Sequence, residues 1–336
     1  MILSVWLLGC GHEAPGPDPQ SLPPPPPSVS QASTQPARLT GPWQALGGTE
    51  WLLPGLEALA LTVADQPVAG PERTPPGAAP PTAGVRTRTF TVSTSAERLR
   101  SPGPGPSDLP RVIALGDGAT FGWGLDAEQA WPALLHQALD GQAQVLNAGV
   151  PGAQPRDLAA WCEAHAPALT PSVIVWSVHP HPNDRPPFTS AFNSIRRCSQ
   201  ASGAAMVVAP PPTSSFDLKR QRELPMTTRL LAQRTAQAGH AWLDLTATFA
   251  GQPGPRLVRQ GSDLVLRDAE GGMIARTPDQ GDELPDMILR PFWHARDLSE
   301  PGFIDQWHPD ARGHQAIAHA LVPLISPLLD PQALTP

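Results

Sequence analysis

Four short segments concentrate the polar and glycine residues that chemistry needs. They are Gly116-Asp117-Gly118-Ala119-Thr120-Phe121-Gly122-Trp123-Gly124, Asn147-Ala148-Gly149-Val150-Pro151-Gly152, Asn183-Asp184 and Asp305-Gln306-Trp307-His308-Pro309-Asp310. Taken singly, each admits a plain reading. Gly116 and Gly122 suit a strand-to-helix turn, where glycine tolerates positive φ. Gly116-Asp117-Gly118 is not a dinucleotide fingerprint, because no Gly-x-Gly-x-x-Gly opens a helix there. Asp305 and His308, read alone, satisfy backbone groups ahead of a helix whose N-cap is Asp310. His179 and His181 are residue types that bind zinc, but no matched set of further ligands accompanies them. The chain is therefore read with no metal and no cofactor, and the proline-rich stretch around His179 and His181 as a stiff pocket rim.

The elements that must position these segments begin at Arg111. Short apolar runs, Val112–Leu115, Val145–Leu146, Val173–Trp176, Met206–Ala209 and Trp242–Leu245, alternate with helical stretches. The runs are too short and too uniformly apolar for half-exposed strands, and suit a parallel sheet buried on both faces. Helices are predicted at Glu128–Leu139, Arg156–His165, Ser190–Ser202, Leu218–Ala238 and Ala311–Leu329. Repeated strand–helix units predict an α/β fold, a doubly wound parallel five-stranded sheet in a three-layer sandwich. Such sheets bind ligands at the carboxyl ends of their strands, which is where the polar segments fall. Trp123, Trp131, Trp176, Trp293 and Trp307 read mainly as core, with Trp307 the candidate pocket wall.

Together, in this order and at these places, the segments resemble the SGNH (GDSL-type) ester-hydrolase family over about residues 108–328. The resemblance implies that His308 is the general base and Asp305 the carboxylate that orients and charges it. It implies that Gly152 N–H and the Asn183 amide donate to an oxyanion. Val178-His179-Pro180-His181-Pro182 departs from the family's Gly-x-Asn-Asp context around that asparagine. The main departure is Gly118, which stands at the position of the nucleophilic serine. Glycine has no side chain to attack a carbonyl, and Thr120 occupies a place where active members also carry threonine. The Gly118 N–H remains available as a third oxyanion donor.

Three readings stay open from this point. One is a pseudoenzyme, a GDSL esterase- or lipase-like protein that binds an ester or acetylated small-molecule, glycan or lipid ligand without turning it over. Another is an active or weak ester hydrolase whose nucleophile is a water activated by the Asp305–His308 dyad, since preorganised donors alone retain part of an enzyme's rate enhancement. The last is a non-enzymatic structural or binding protein of the envelope.

Proline is the compositional outlier, 45 of 336 residues, with 21 in the first 110. The net charge is −7, and Lys219 is the single lysine. No basic run is present, so the composition predicts no nucleic-acid partner. Leu7-Leu8-Gly9-Cys10 resembles the lipobox of bacterial lipoproteins, which implies lipidation at Cys10 and membrane attachment through that anchor only. Gly11 is not the aspartate of inner-membrane retention, so the expected location is the cell envelope, at the outer membrane or in the periplasm. Residues 1–9 are then a truncated lipoprotein signal and 10–45 a semi-rigid polyproline tether. Residues 46–107 form an extension with a predicted helix over Thr49–Ala64 and a strand over Arg86–Ser95. The SGNH-like domain occupies 108–330, with an insertion over 251–300 in which Arg256–Val265 and Leu266–Ile274 form a hairpin. Cys162 and Cys198 read either as one disulfide of an exported protein or as two core thiols. Membrane fractionation of the native protein against Cys10→Ser checks the anchor. The variant is expected in the soluble fraction, and an unchanged distribution refutes lipidation at Cys10.

Overall fold

Two antiparallel strand pairs, rather than a helix, precede the first strand of the predicted α/β domain. The computed structural model describes residues 43–46, 49–64, 87–100, 108–179, 185–250, 254–281, 284–285, 287–288, 302–304 and 307–330. β1 (Trp43–Leu46) pairs antiparallel with β2 (Thr49–Leu52), and β3 (Leu59–Ala64) with β4 (Thr87–Val92). The helix expected over Thr49–Ala64 does not form. Pro54-Gly55 breaks it, with Gly55 at φ +64°, and Thr62 and Val63 that follow favour a pleated surface. The strand expected over Arg86–Ser95 is β4. Leu52, Phe90, Val92 and Leu99 are buried in the main core, so this extension is part of the folded body.

β5 (Arg111–Gly116), β6 (Gln144–Gly149), β7 (Val173–Ser177), β8 (Ala205–Val208) and β9 (Ala241–Trp242) form a parallel sheet in the spatial order β6-β5-β7-β8-β9. The sheet reverses its direction of growth between β5 and β7, which is the switch point where such folds open a ligand crevice. Val112, Ile113, Ala114 and Leu115 are all buried, as a strand covered on both faces requires. One face carries Ile113, Leu115, Ile174, Trp176 and Val208 against α3 (Pro155–Leu169) and α4 (Arg185–Ala201). The other carries Val112, Ala114, Val173, Val175 and Val207 against α2 (Trp131–Ala138), α6 (Leu245–Ala250) and α7 (Ala311–Ile325). α1 (Gly118–Phe121) is a single turn after β5, and α5 (Leu218–Gln237) follows β8. The doubly wound fold implied by the SGNH resemblance is the fold observed.

The differences from expectation are local. The fifth strand stops at Trp242, because the Asp244 carboxylate accepts from Thr246 N at 2.9 Å and starts α6 at Leu245. The inserted hairpin is a three-stranded sheet, β10 (Arg256–Gln260), β11 (Asp263–Arg267) and β12 (Met273–Pro278), because Gly261 at φ +64° reverses the chain inside the first predicted strand. Its apolar face packs on Phe216 and Leu218, beyond β8. Trp131 and Trp176 are core residues as expected, Trp307 is 47% exposed, and Trp293 lies outside the described residues.

Cys162 of α3 and Cys198 of α4 are joined as a disulfide, which decides between the two readings of the pair. Both cysteines are buried in the core between these helices and the sheet. The bond closes a loop of 36 residues, and constraint of the unfolded chain by a loop of that size corresponds to about 3–4 kcal/mol. Cys162→Ser with Cys198→Ser is expected to lower unfolding stability by an amount of that order in urea titration. An unchanged midpoint contradicts a structural role.

Candidate functional site

α1 lies directly on the carboxyl ends of β5 and β6. A Cβ on Gly116 would stand 2.0 Å from both Ser177 O and Thr120 Oγ1, and one on Gly149 only 2.2 Å from Phe121 N. Glycine is required at both places by this approach rather than by a turn. Asp117 caps the helical turn, its Oδ1 accepting from Ala119 N at 3.0 Å. The Thr120 hydroxyl donates to Ser177 O at 3.2 Å and is fully buried, so it is held against β7 and is not a nucleophile. Among the described residues, neither Gly118 N–H nor Gly152 N–H has an acceptor. Gly152 sits at φ +80° in the turn after β6.

His308 reaches Gly118 across the fold. A Cβ on Gly118 would be 2.6 Å from His308 Nε2 and 3.1 Å from its Cδ2. The position assigned to the nucleophile and the imidazole assigned as base therefore face each other, and the ring occupies space that a serine side chain needs. The segment that carries His308 is closed on itself. Ile304 N donates to His308 O at 2.8 Å, and Asp310 N donates to Gly302 O at 2.8 Å. The Asp310 carboxylate accepts from Gly313 N at 2.8 Å and caps α7, as the sequence predicts. Trp123 leans on the imidazole with ring centroids 6.3 Å apart, and Phe90 of β4 meets Trp123 edge-on at 5.5 Å. Asn183, Asp305 and Cys10 lie outside the described residues, as does His181.

A second polar pair was not legible beforehand. His179 Nδ1 lies 2.8 Å from Asp117 Oδ2, and His179 N donates to the same oxygen at 3.1 Å. The pair sits at the switch point, because β5 and β7 are neighbours with Gly116 opposite Ser177. Burial pushes the Asp117 carboxyl up, but the His179 imidazole and N–H and the Ala119 N–H together outweigh it and hold the carboxyl at about 2. The signal in the sequence was His179 three residues past a predicted strand, and only the strand order reveals its partner.

Behind the site, His314 of α7 is completely buried, its Nδ1 accepting from Trp131 N at 2.8 Å. Its Nε2 has no hydrogen-bond partner among the described residues. Burial, with Arg100 and His308 nearby, lowers its pKa from 6.5 to about 3. The ring is neutral in the folded protein at any pH near neutrality.

Fold and site together define a doubly wound α/β protein whose crevice, at the carboxyl edge of β5, β6 and β7, brings a histidine onto a glycine turn. No family model matches the chain, and no curated protein matches it. Solved structures to which it is similar include a protein described as lipolytic, of the G-D-S-L family, from Desulfitobacterium hafniense. That match has 15% identity and a TM-score of 0.41 over 64% of this chain and 98% of the other. TesA is similar at 18% identity and a TM-score of 0.43 over 65% of this chain and 99% of its own. The acetyl xylan esterase AlAXEase is similar at 14% identity and a TM-score of 0.44, over 64% and 99%.

Two groups beside the site, His314 and Asp117, contribute to an acid limb of stability. For His314 the unfolded chain holds the extra proton between about pH 6.5 and about 3, so stability falls as pH drops through that window. For Asp117 the contribution is complete above 3.8 and is lost as pH falls through about 2. Thermal unfolding measured against pH is expected to show a midpoint that declines from neutrality downward. His314→Gln, which keeps an acceptor for Trp131 N–H, is expected to flatten the decline between about pH 6.5 and pH 4. An identical slope in the variant refutes the assignment to His314.

Proposed function

We propose that this chain is an SGNH-like envelope lipoprotein that binds an ester or acetylated ligand in the crevice at Gly118 and turns it over little or not at all. The observation that carries the reading is the approach of His308 Nε2 to 2.6 Å from the Cβ position of Gly118. It supports the pairing of nucleophile position and base that the resemblance implies, with the nucleophile missing. The unpartnered N–H groups of Gly118 and Gly152 suit a ligand carbonyl or carboxylate oxygen. The Cys162–Cys198 disulfide supports export, because such bonds persist in oxidising compartments. The alternative, a water activated by His308, is disfavoured by the same geometry, since the ring stands against Gly118 where that water would act.

The paired test is hydrolysis of short-chain aryl esters by the native protein and by Gly118→Ser. The new side chain moves the imidazole from 2.6 Å back to an ordinary contact of 3.4 Å or more, a shift that a side chain makes without a backbone change. The native protein is expected to show little or no turnover. Gly118→Ser is expected to gain at least about 10²-fold in kcat/KM, and His308→Ala in that background to lose the gain. Native turnover that a serine-reactive inhibitor abolishes, or no gain in Gly118→Ser, overturns the reading.

A further inference from the structure

Arg100 precedes β5 and is buried to 1% exposure. Among the described residues no carboxylate accepts from its guanidinium. Instead it donates to four backbone carbonyls: Nη1 to Phe121 O and, at 3.0 Å, to Gly122 O; Nη2 to Leu125 O and, at 3.5 Å, to Thr91 O. Its plane lies 4.3 Å over the Phe121 ring. Three of the four acceptors belong to the turn that leaves α1, where the carbonyls of a one-turn helix have no intrahelical partner. Gly122 at φ +83° completes the fit, since a Cβ there would meet Arg100 Nη1 at 2.8 Å. Burial lowers the Arg100 pKa to about 10, with Asp126 and Glu128 opposing, so the group is still a cation at neutral pH. A buried cation is costly beside an apolar residue of the same volume. Filling space alone does not explain it, whereas the converging carbonyls do.

We propose that Arg100 is a positioning residue of the candidate site: it sets the Phe121–Leu125 turn, and thereby Trp123 against His308. The backbone of Arg100 is itself fixed, its N–H donating to Asn147 O at 2.8 Å at the foot of the Gly152 turn. The turn it holds carries Trp123, which Phe90 of β4 supports from one side and which leans on the His308 imidazole on the other. The extension before β5 thus supports one wall of the candidate site.

The test needs no substrate, so a failed Gly118→Ser experiment leaves it decided on its own. Each histidine is labelled with diethyl pyrocarbonate and read by peptide mass spectrometry, alongside amide exchange of the same variants. In Arg100→Met, His308 is expected to label several-fold faster while exposed His319 keeps its rate. Exchange of the Phe121–Leu125 amides is expected to rise by at least about tenfold with β5 and β7 unchanged, a local loosening that a purely structural role would not confine there. Arg100→Lys, whose single ammonium cannot span the carbonyls of Phe121, Gly122 and Leu125, is expected to give intermediate rates. A folded Arg100→Met with native rates at His308 and at the turn overturns the proposal. If Arg100→Met does not fold, native rates in Arg100→Lys overturn it.

Discussion

The helical turn Gly118–Phe121 rests on the ends of β5 and β6 with nothing between but two glycine Cα atoms, Gly116 and Gly149. This close approach governs the rest of the site. It directs the Thr120 hydroxyl back to Ser177 O and leaves Gly118 at the mouth of the sheet. A turn this short lacks internal hydrogen bonds at both ends, and two charged residues from outside the helix supply them. Asp117 accepts from Ala119 N at the amino end and holds His179. Arg100 satisfies the carbonyl end and holds the Trp123 loop. The charges are arranged as the dipole of a helical turn prefers, carboxylate at the N–H end and cation at the carbonyl end.

What that platform presents to His308 is a backbone without a side chain. An imidazole beside a serine stands one hydrogen bond from the oxygen. Here Nε2 stands only 2.6 Å from where a Cβ on Gly118 would lie, so the ring occupies space that a serine side chain there would need. Beside it the N–H groups of Gly118 and Gly152 have no acceptor among the described residues, and Trp123 forms a wall against the imidazole.

The surroundings of the crevice come from distant parts of the chain. β4 contributes Phe90, the segment after it Arg100, the β5–α2 connection Trp123, and the segment before α7 His308. The disulfide between α3 and α4 lies on the same face of the sheet as the N-terminal residues Leu52, Phe90 and Leu99. The proline-rich beginning of the chain therefore passes into a folded extension that is joined to the core before the first parallel strand begins.

The sequence by itself determined much of what depends on near neighbours. Uniform apolar runs marked the buried parallel strands. Asp310 marked the start of α7, and the segments Gly116–Gly124 and Asn147–Gly152 fall at strand ends as their order predicted. Only the tertiary structure decided what depends on distant pairing. Leu59–Ala64 is a strand because Thr87–Val92, beyond 22 intervening residues, lies beside it. Asp117 meets His179 because β5 and β7 are neighbours while β6 lies on the other side. No feature of the sequence singles out Arg100, and only the tertiary structure brings around it the carbonyls of a turn more than twenty residues away. Local propensity carries no information about such partners, because hydrogen-bond acceptors on the backbone have no residue type and strand order leaves no mark on any single strand.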